Sequence, residues 1–168
     1  MTGRGLAAQA VRASEYQVKA VFLFNFAQFV DWPAAAFPAS DTPLVICVLG
    51  NDPFGDALDQ TVRNERLGVR PFQVRRYRSV DEITTCHILF ISRSEANRPE
   101  AILASLKERP ILTVSDADGF AQRGGMIRFV TDRNRIRLQL NLAATEAAHL
   151  TISSKLLRVA EIVTRTGS

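Results

Sequence analysis

Residues 44–49, Leu-Val-Ile-Cys-Val-Leu, decide the fold. Every position of this run is apolar, and Pro43 and Gly50 bound it. A strand with one solvated face alternates apolar and polar residues, whereas a strand covered on both faces is apolar throughout. The run therefore predicts a strand of a parallel sheet that is buried on both sides.

Strands and helices alternate after this run. Further strands are predicted over residues 72–77, 87–91 and 111–114. A helix is predicted to open with Asp52 as its N-cap and Pro53 in its first turn, and another to cover residues 99–107. This alternation predicts a parallel sheet with helices on both faces.

The pattern changes near the C-terminus. Residues 126–130 and 135–140 are predicted to be two strands joined by residues 131–134, and the second alternates apolar with polar residues. Such alternation is typical of an antiparallel hairpin with one buried face. Helices are predicted over about residues 142–149 and 154–163. The fold class is thus α/β, with three layers, a mainly parallel Rossmann-like sheet, helices on both faces and a C-terminal antiparallel hairpin.

The N-terminal part contains a predicted helix, preceded by residues that resemble the end of an export signal. Ser14 and Gln17 form a capping-box pattern, which predicts a helix from Ser14 to about Val30. Residues 6–10, Leu-Ala-Ala-Gln-Ala, resemble the end of an export signal. We therefore expect residues 1–13 to be a disordered tail or a signal-peptide remnant, and residues 14–165 to form a single domain.

Composition restricts the class of protein. The chain has 168 residues, of which 46% are hydrophobic and 23% charged, as in an ordinary globular domain. Its net charge of +4 is spread along the chain and gives little support for nucleic-acid binding. No apolar run reaches the roughly 20 residues that a membrane span needs.

The cysteines are Cys47, in the first central strand, and Cys86, just before the third. Neighbouring parallel strands would bring them within bridging distance, and an exported chain would favour the disulfide. The alternative is two buried free thiols, since free cysteine packs as a small hydrophobe.

The sequence contains no assembled catalytic or metal-binding set, so we expect neither an enzyme nor a metal site. The loop after residue 49 lacks the lysine and hydroxyl of a phosphate loop, and Ser92-Arg93 stands where a phospho-receiver has its acceptor aspartate. Asp116-Ala117-Asp118-Gly119 lacks the remaining calcium ligands and is interpreted as a helix-capping turn. His87 is interpreted as a strand-edge residue with a backbone partner.

Two surfaces are candidates for binding. Arg133, Arg135 and Arg137, spaced by two residues along a strand, are expected to share one face with Arg128 of the neighbouring strand. This basic stripe is either a docking surface for a protein or a solvated edge that prevents aggregation. As an alternative, Gly50, Asn51 and Ser92 are expected to line a small-molecule site at the carboxyl ends of the strands.

Several segments in the same order resemble the YfiR-like family of periplasmic proteins. They are residues 16–26 with Trp32-Pro33, 46–50 with 52–54, 86–91, 124–129, 135–141 and 152–157. The resemblance implies a periplasmic repressor that binds the periplasmic domain of a membrane diguanylate cyclase (YfiN-like). It also implies sequestration by an outer-membrane YfiB-like lipoprotein, a homodimer, and a disulfide between Cys47 and Cys86. No cofactor is expected. The chain departs from the family pattern because it lacks a second cysteine pair near the hairpin, so redox control through a second bridge is not expected.

Overall fold

An eight-stranded sheet forms the centre of the computed structural model, which describes residues 2–166. The strands are β1 Val30–Asp31, β2 Leu44–Leu49, β3 Arg66–Leu67, β4 Arg70–Tyr77, β5 Ile88–Ile91, β6 Leu112–Ser115, β7 Ile127–Asp132, β8 Arg135–Leu140, β9 Thr151–Ile152 and β10 Ala160–Ile162. The helices are α1 Thr2–Phe29, α2 Ala57–Val62, α3 Pro99–Ser105, α4 Leu142–Ala147 and α5 Ser154–Val159. The order across the sheet is β10-β8-β7-β6-β5-β2-β4-β3, and β1 pairs separately with β9.

The middle of the sheet is parallel. Strands β4, β2, β5, β6 and β7 run in one direction, β8 returns antiparallel to β7, and β10 lies parallel to β8. The predicted Rossmann-like sheet with a C-terminal antiparallel hairpin is confirmed.

Both faces of the sheet are covered, as the apolar run of β2 predicts. Ile46 and Val48 belong to the core that α1 and α2 close, whereas Val45 and Cys47 belong to the core on the α3 side. All residues of β2 are buried. The three-layer architecture follows because a strand apolar on both faces needs a helical layer on each side.

Helix α1 is longer than predicted. It begins at Thr2, so Ser14 lies inside the helix and caps nothing. Residues 2–13 contain no proline and several alanines, which propagate a helix well. Residues 7–14 are exposed, and burial begins at Tyr16. The structure thus describes residues 2–13 as helical, and Met1 lies outside the described residues. The origin of residues 1–13 in an export signal stays a prediction.

Two other boundaries differ from the prediction. Helix α2 begins at Ala57, because Asp52 instead accepts the Phe54 N–H at 2.8 Å in a local turn. The final helix ends at Val159, and residues 160–162 form β10. The open edge of β8 offers this segment backbone partners, and the Val163 N–H donates to the Leu140 carbonyl at 2.9 Å. Ser153 caps α5 by accepting the Lys155 N–H.

Candidate functional site

The β7–β8 hairpin extends beyond the carboxyl end of the parallel sheet. β6 pairs with only the first residues of β7, Ile127 and Arg128, whereas β7 and β8 pair over their whole lengths. The turn is closed by Arg133 and Asn134 with φ angles of 51° and 65°, the left-handed geometry of tight hairpins. The outer half of the hairpin is therefore held by its own pairing and by one face against the core.

The structure places the four predicted arginines on this hairpin with unequal exposure. Arg128 lies opposite Gln139, and Arg137 lies opposite Val130, so these residues share a face with Arg135. Arg133 lies in the turn and not on a strand, which corrects its predicted place in the stripe. The side chain of Arg137 is 68% exposed, whereas that of Arg128 is only 18% exposed.

Acidic neighbours neutralise part of this face. Arg128 donates to Asp118 at 2.8 Å, and Arg137 lies 3.7 Å from Asp132. Within residues 2–166, Arg133 and Arg135 make no ion pair and are exposed. The charge available to a partner is therefore concentrated near the tip of the hairpin.

Gly50, Asn51 and Ser92 lie together at the carboxyl ends of β2 and β5. Ser94 accepts the Asn51 N–H at 2.9 Å, and a Cβ built on Gly50 would lie 2.5 Å from the Ser94 hydroxyl. The loop after β5 thus fills the space beside Gly50, whose φ of 94° also favours glycine. The ligand site proposed for these residues stays a prediction.

A cavity lies between α3 and α4, away from Gly50, Asn51 and Ser92. Its volume is about 570 Å³, and its wall includes Leu103, Ile111 and Met126. Lys107 and Arg165 are among the charged residues that line it. Sequence reasoning missed this cavity because its walls come from segments far apart in the chain.

The disulfide joins Cys47 and Cys86, whose Cα atoms are 6.2 Å apart. β2 and β5 are neighbours in the sheet, so the short segment before β5 brings Cys86 beside β2. Both residues are buried on the α3 side. The bridge therefore ties the start of β5 to the centre of the sheet.

A buried ionic cluster joins α1 to the carboxyl end of β6. Lys19 is fully buried and donates to Asp116 at 2.8 Å and to Glu15 at 2.6 Å. The Tyr16 hydroxyl also donates to Asp116, and Arg93 approaches the same carboxylate from solvent at 3.2 Å. Asp116 is therefore an anchor for α1. The interpretation of residues 116–119 as a helix-capping turn is wrong, because a strand precedes them and turns, not a helix, follow.

The charge states of this cluster follow from its contacts. Burial alone favours the neutral acid, but the hydrogen bonds from Lys19 and Tyr16 hold the pKa of Asp116 below its ordinary value. Burial and the bond to Asp116 raise the pKa of Tyr16. A lysine within the apolar part of a helix was the available sequence signal, because such a charge needs a buried partner.

His87 has the backbone partners that the sequence predicted. Its Nδ1 accepts the Val45 N–H at 3.0 Å, so Nε2 carries the proton and donates to the Ala36 carbonyl at 2.9 Å. The ring stacks on Phe37 with 4.3 Å between centroids. The neutral ring thus fastens the segment after β1 to the sheet.

Stability is expected to fall as the solution is acidified through the ordinary pKa of histidine. Burial, with Arg70 nearby, lowers the pKa of His87 in the folded protein, so the unfolded chain binds its proton first. Below about pH 6.5 the free energy of unfolding should therefore decline by up to about 1.4 kcal/mol per pH unit. Urea unfolding across this range measures the slope. The control H149A changes the exposed second histidine and should keep the slope, whereas H87F should lose it. An unchanged slope in H87F would refute the assignment of this pH dependence to His87.

The part of the chain that the structure describes, residues 2–166, holds neither a cluster of metal ligands nor a helix fit to cross a membrane. No three His, Cys, Asp or Glu side chains there are placed to hold a metal ion. None of its helices has the length and apolar character of a membrane span.

The chain is similar to a known protein family. A family model described as YfiR/HmsC-like matches residues 16–161. No curated protein matches the chain. The matched range begins at Tyr16, where α1 becomes buried, and ends at Glu161, in the last strand.

Proposed function

Because the chain belongs to the YfiR/HmsC-like family, we propose that it is a periplasmic regulatory protein that represses a membrane-bound, YfiN-like diguanylate cyclase. It acts by binding the periplasmic domain of the cyclase, and it thereby lowers cyclic-di-GMP signalling and biofilm formation. The family match over residues 16–161 is the observation that carries this proposal.

The tip of the hairpin supports a role in protein binding. Arg133 and Arg135 are exposed and make no ion pair within residues 2–166, and the hairpin extends past the sheet. Exposed charge of one sign steers the encounter with a partner of opposite sign and contributes more to specificity and association rate than to affinity. An acidic patch on the cyclase domain is the expected complement.

Calorimetry tests the proposal directly. The full chain is titrated with the periplasmic segment of a membrane diguanylate cyclase from the same genome, with and without reductant. Saturable binding is the expected result. Absence of binding under both redox conditions would remove this cyclase as the partner.

The double charge reversal R135E/R137E is expected to weaken cyclase binding and to leave the melting temperature nearly unchanged. Exposed substitutions usually alter the free energy of unfolding by less than about 0.5 kcal/mol, whereas like charges at an interface oppose association. Calorimetry and thermal unfolding are compared with R98E/K107E, which makes the same change in net charge at exposed sites around α3. Equal affinity for the two variants would exclude the hairpin from the interface.

The proposal includes two further contacts that the family implies. One is sequestration by an outer-membrane YfiB-like lipoprotein, and the other is a homodimer. Size-exclusion chromatography with light scattering measures the mass of the chain alone and with the soluble part of such a lipoprotein. A monomer at every concentration tested would remove the dimer.

A small-molecule sensor is the second candidate function. The cavity of about 570 Å³ between α3 and α4 supports it, because ligand pockets commonly have volumes of about 300–1,000 Å³. Gly50, Asn51 and Ser92 remain the alternative site at the carboxyl ends of β2 and β5. A thermal-shift screen against metabolites tests both places. Stabilisation by none of them would argue against the sensor.

A further inference from the structure

The sheet edge formed by β4 is open along most of its length. β4 covers Arg70–Tyr77, but β3 pairs only with Arg70 and Pro71. In the described part of the chain no other strand lies on that side of β4. The backbone from Phe72 to Tyr77 therefore borders a free edge at the opposite end of the sheet from the hairpin.

The register identifies the backbone groups at this edge. The Tyr77 carbonyl accepts the Gly50 N–H at 2.9 Å, so Tyr77 directs its backbone groups towards β2. Alternate residues of a strand direct theirs to opposite sides, so those of Phe72, Val74 and Arg76 point to the open edge. An extended peptide can form hydrogen bonds with these unpaired backbone N–H and C=O groups and so add a strand to the sheet.

Positive charge surrounds the open edge. Arg63, Arg66, Arg75 and Arg78 lie on or beside β3 and β4 and make no ion pair within residues 2–166. Arg76, in contrast, is neutralised by Asp52 and Asp59, each at 2.6 Å. The available charge at this edge is therefore basic.

A cleft lies beside the same strand. Its volume is about 340 Å³, and Val62, Phe72 and Val74 supply its apolar wall. Arg63 and Arg66 line it together with Glu65, and Asp59 is already paired with Arg76. Side chains of an added strand that alternate apolar and acidic would match the apolar wall and the arginines.

We propose that the open edge of β4 binds an extended, acidic segment of another protein by strand addition. A second copy of this chain does not fit, because its own β4 edge carries the same arginines and like charges repel across an edge. Basic side chains thus suppress self-pairing and select an acidic partner. This inference does not depend on the proposed regulation of a cyclase.

A labelled peptide, acetyl-Glu-Val-Glu-Val-Glu-Val-Glu-amide, is the probe. Its fluorescence anisotropy is measured against the full chain at low and at physiological salt. We expect saturable binding that weakens with salt, because exposed charges are screened over about 8–10 Å. R75E/R78E should weaken binding by about tenfold or more, whereas R135E/R137E, with the same change in net charge, should not.

Two N-methylated peptides separate strand pairing from simple charge attraction. One is methylated at the odd positions and the other at the even positions, so that only one of them loses the N–H groups that face β4. Strand addition predicts that one binds as the parent does and that the other loses about tenfold or more. Amide exchange at Phe72, Val74 and Arg76 should also slow when the parent peptide is added. The proposal would be overturned if the two methylated peptides bound equally, or if amide exchange did not change. It would also be overturned if the full chain bound vesicles of phosphatidylglycerol but not the peptide.

Discussion

Replacement of both cysteines, C47A/C86A, is expected to lower the free energy of unfolding by about 3–4 kcal/mol. The bridge closes a loop with a sequence separation of 39 residues, which restricts the unfolded chain. It also ties β2 to the segment before β5 on the α3 side of the sheet. Loss of the bridge therefore removes a constraint that no other covalent link in the described chain replaces.

Urea unfolding followed by circular dichroism measures this effect. Wild type is compared under oxidising and reducing conditions, and reductant should destabilise it by a similar amount. The double variant is the matched control, since reductant should leave its stability unchanged. If the oxidised wild type and the variant unfold at the same urea concentration, the bridge does not contribute as we expect.

Replacement of Lys19 by methionine is expected to lower the free energy of unfolding by about 3–5 kcal/mol, the usual cost when one partner of a buried ion pair is removed. Methionine keeps the volume of the side chain but removes the ammonium that lies 2.8 Å from Asp116. Asp116 is 1% exposed, so water cannot replace the missing partner. The carboxylate then depends on Tyr16 and on the solvent-exposed Arg93.

Two control variants separate the buried charge from a general effect of substitution. K19M/D116N removes both charges and should recover part of the lost stability. R123M removes the exposed Arg123–Glu100 pair and should cost less than about 1 kcal/mol. An equal cost for K19M and R123M would contradict the role of the buried pair.

Acid should reduce the difference between wild type and K19M. The pKa of Asp116 is lowered in the folded protein, so its ionic contribution is present above the ordinary value of about 4 and is lost as the pH falls through the folded value. Unfolding measured at successively lower pH should show the two proteins converging. A constant difference would indicate that Lys19 acts only by packing.

The fold was largely predictable because its central strands carry an unambiguous pattern. Residues 44–49 and 88–91 are apolar at every position, a pattern typical of strands that are buried on both faces of a sheet. Prediction failed at the chain segments whose structure depends on distant partners. Residues 160–162 form a strand only because β8 offers them an open edge, and Ser14 lies within a helix because the residues before it are also helical.

The candidate sites were predictable only in part. The spacing of Arg135 and Arg137 indicated a shared face, and the structure has them on one face of β8. The basic edge of β4 was not predicted, because its exposure depends on how little of it β3 covers. Sequence spacing reports which residues share a face of one element, but not which edge of a sheet stays open.

The sequence by itself determined the α/β class, the parallel centre of the sheet, the hairpin and the family. These follow from local apolar periodicity and from the order of short segments, which do not depend on contacts between distant residues. Only the tertiary structure decided that Lys19 meets Asp116 and that β4 forms an open basic edge. Both depend on contacts between residues far apart in the chain, where burial removes water from a charge and the order of strands decides which backbone groups stay unpaired.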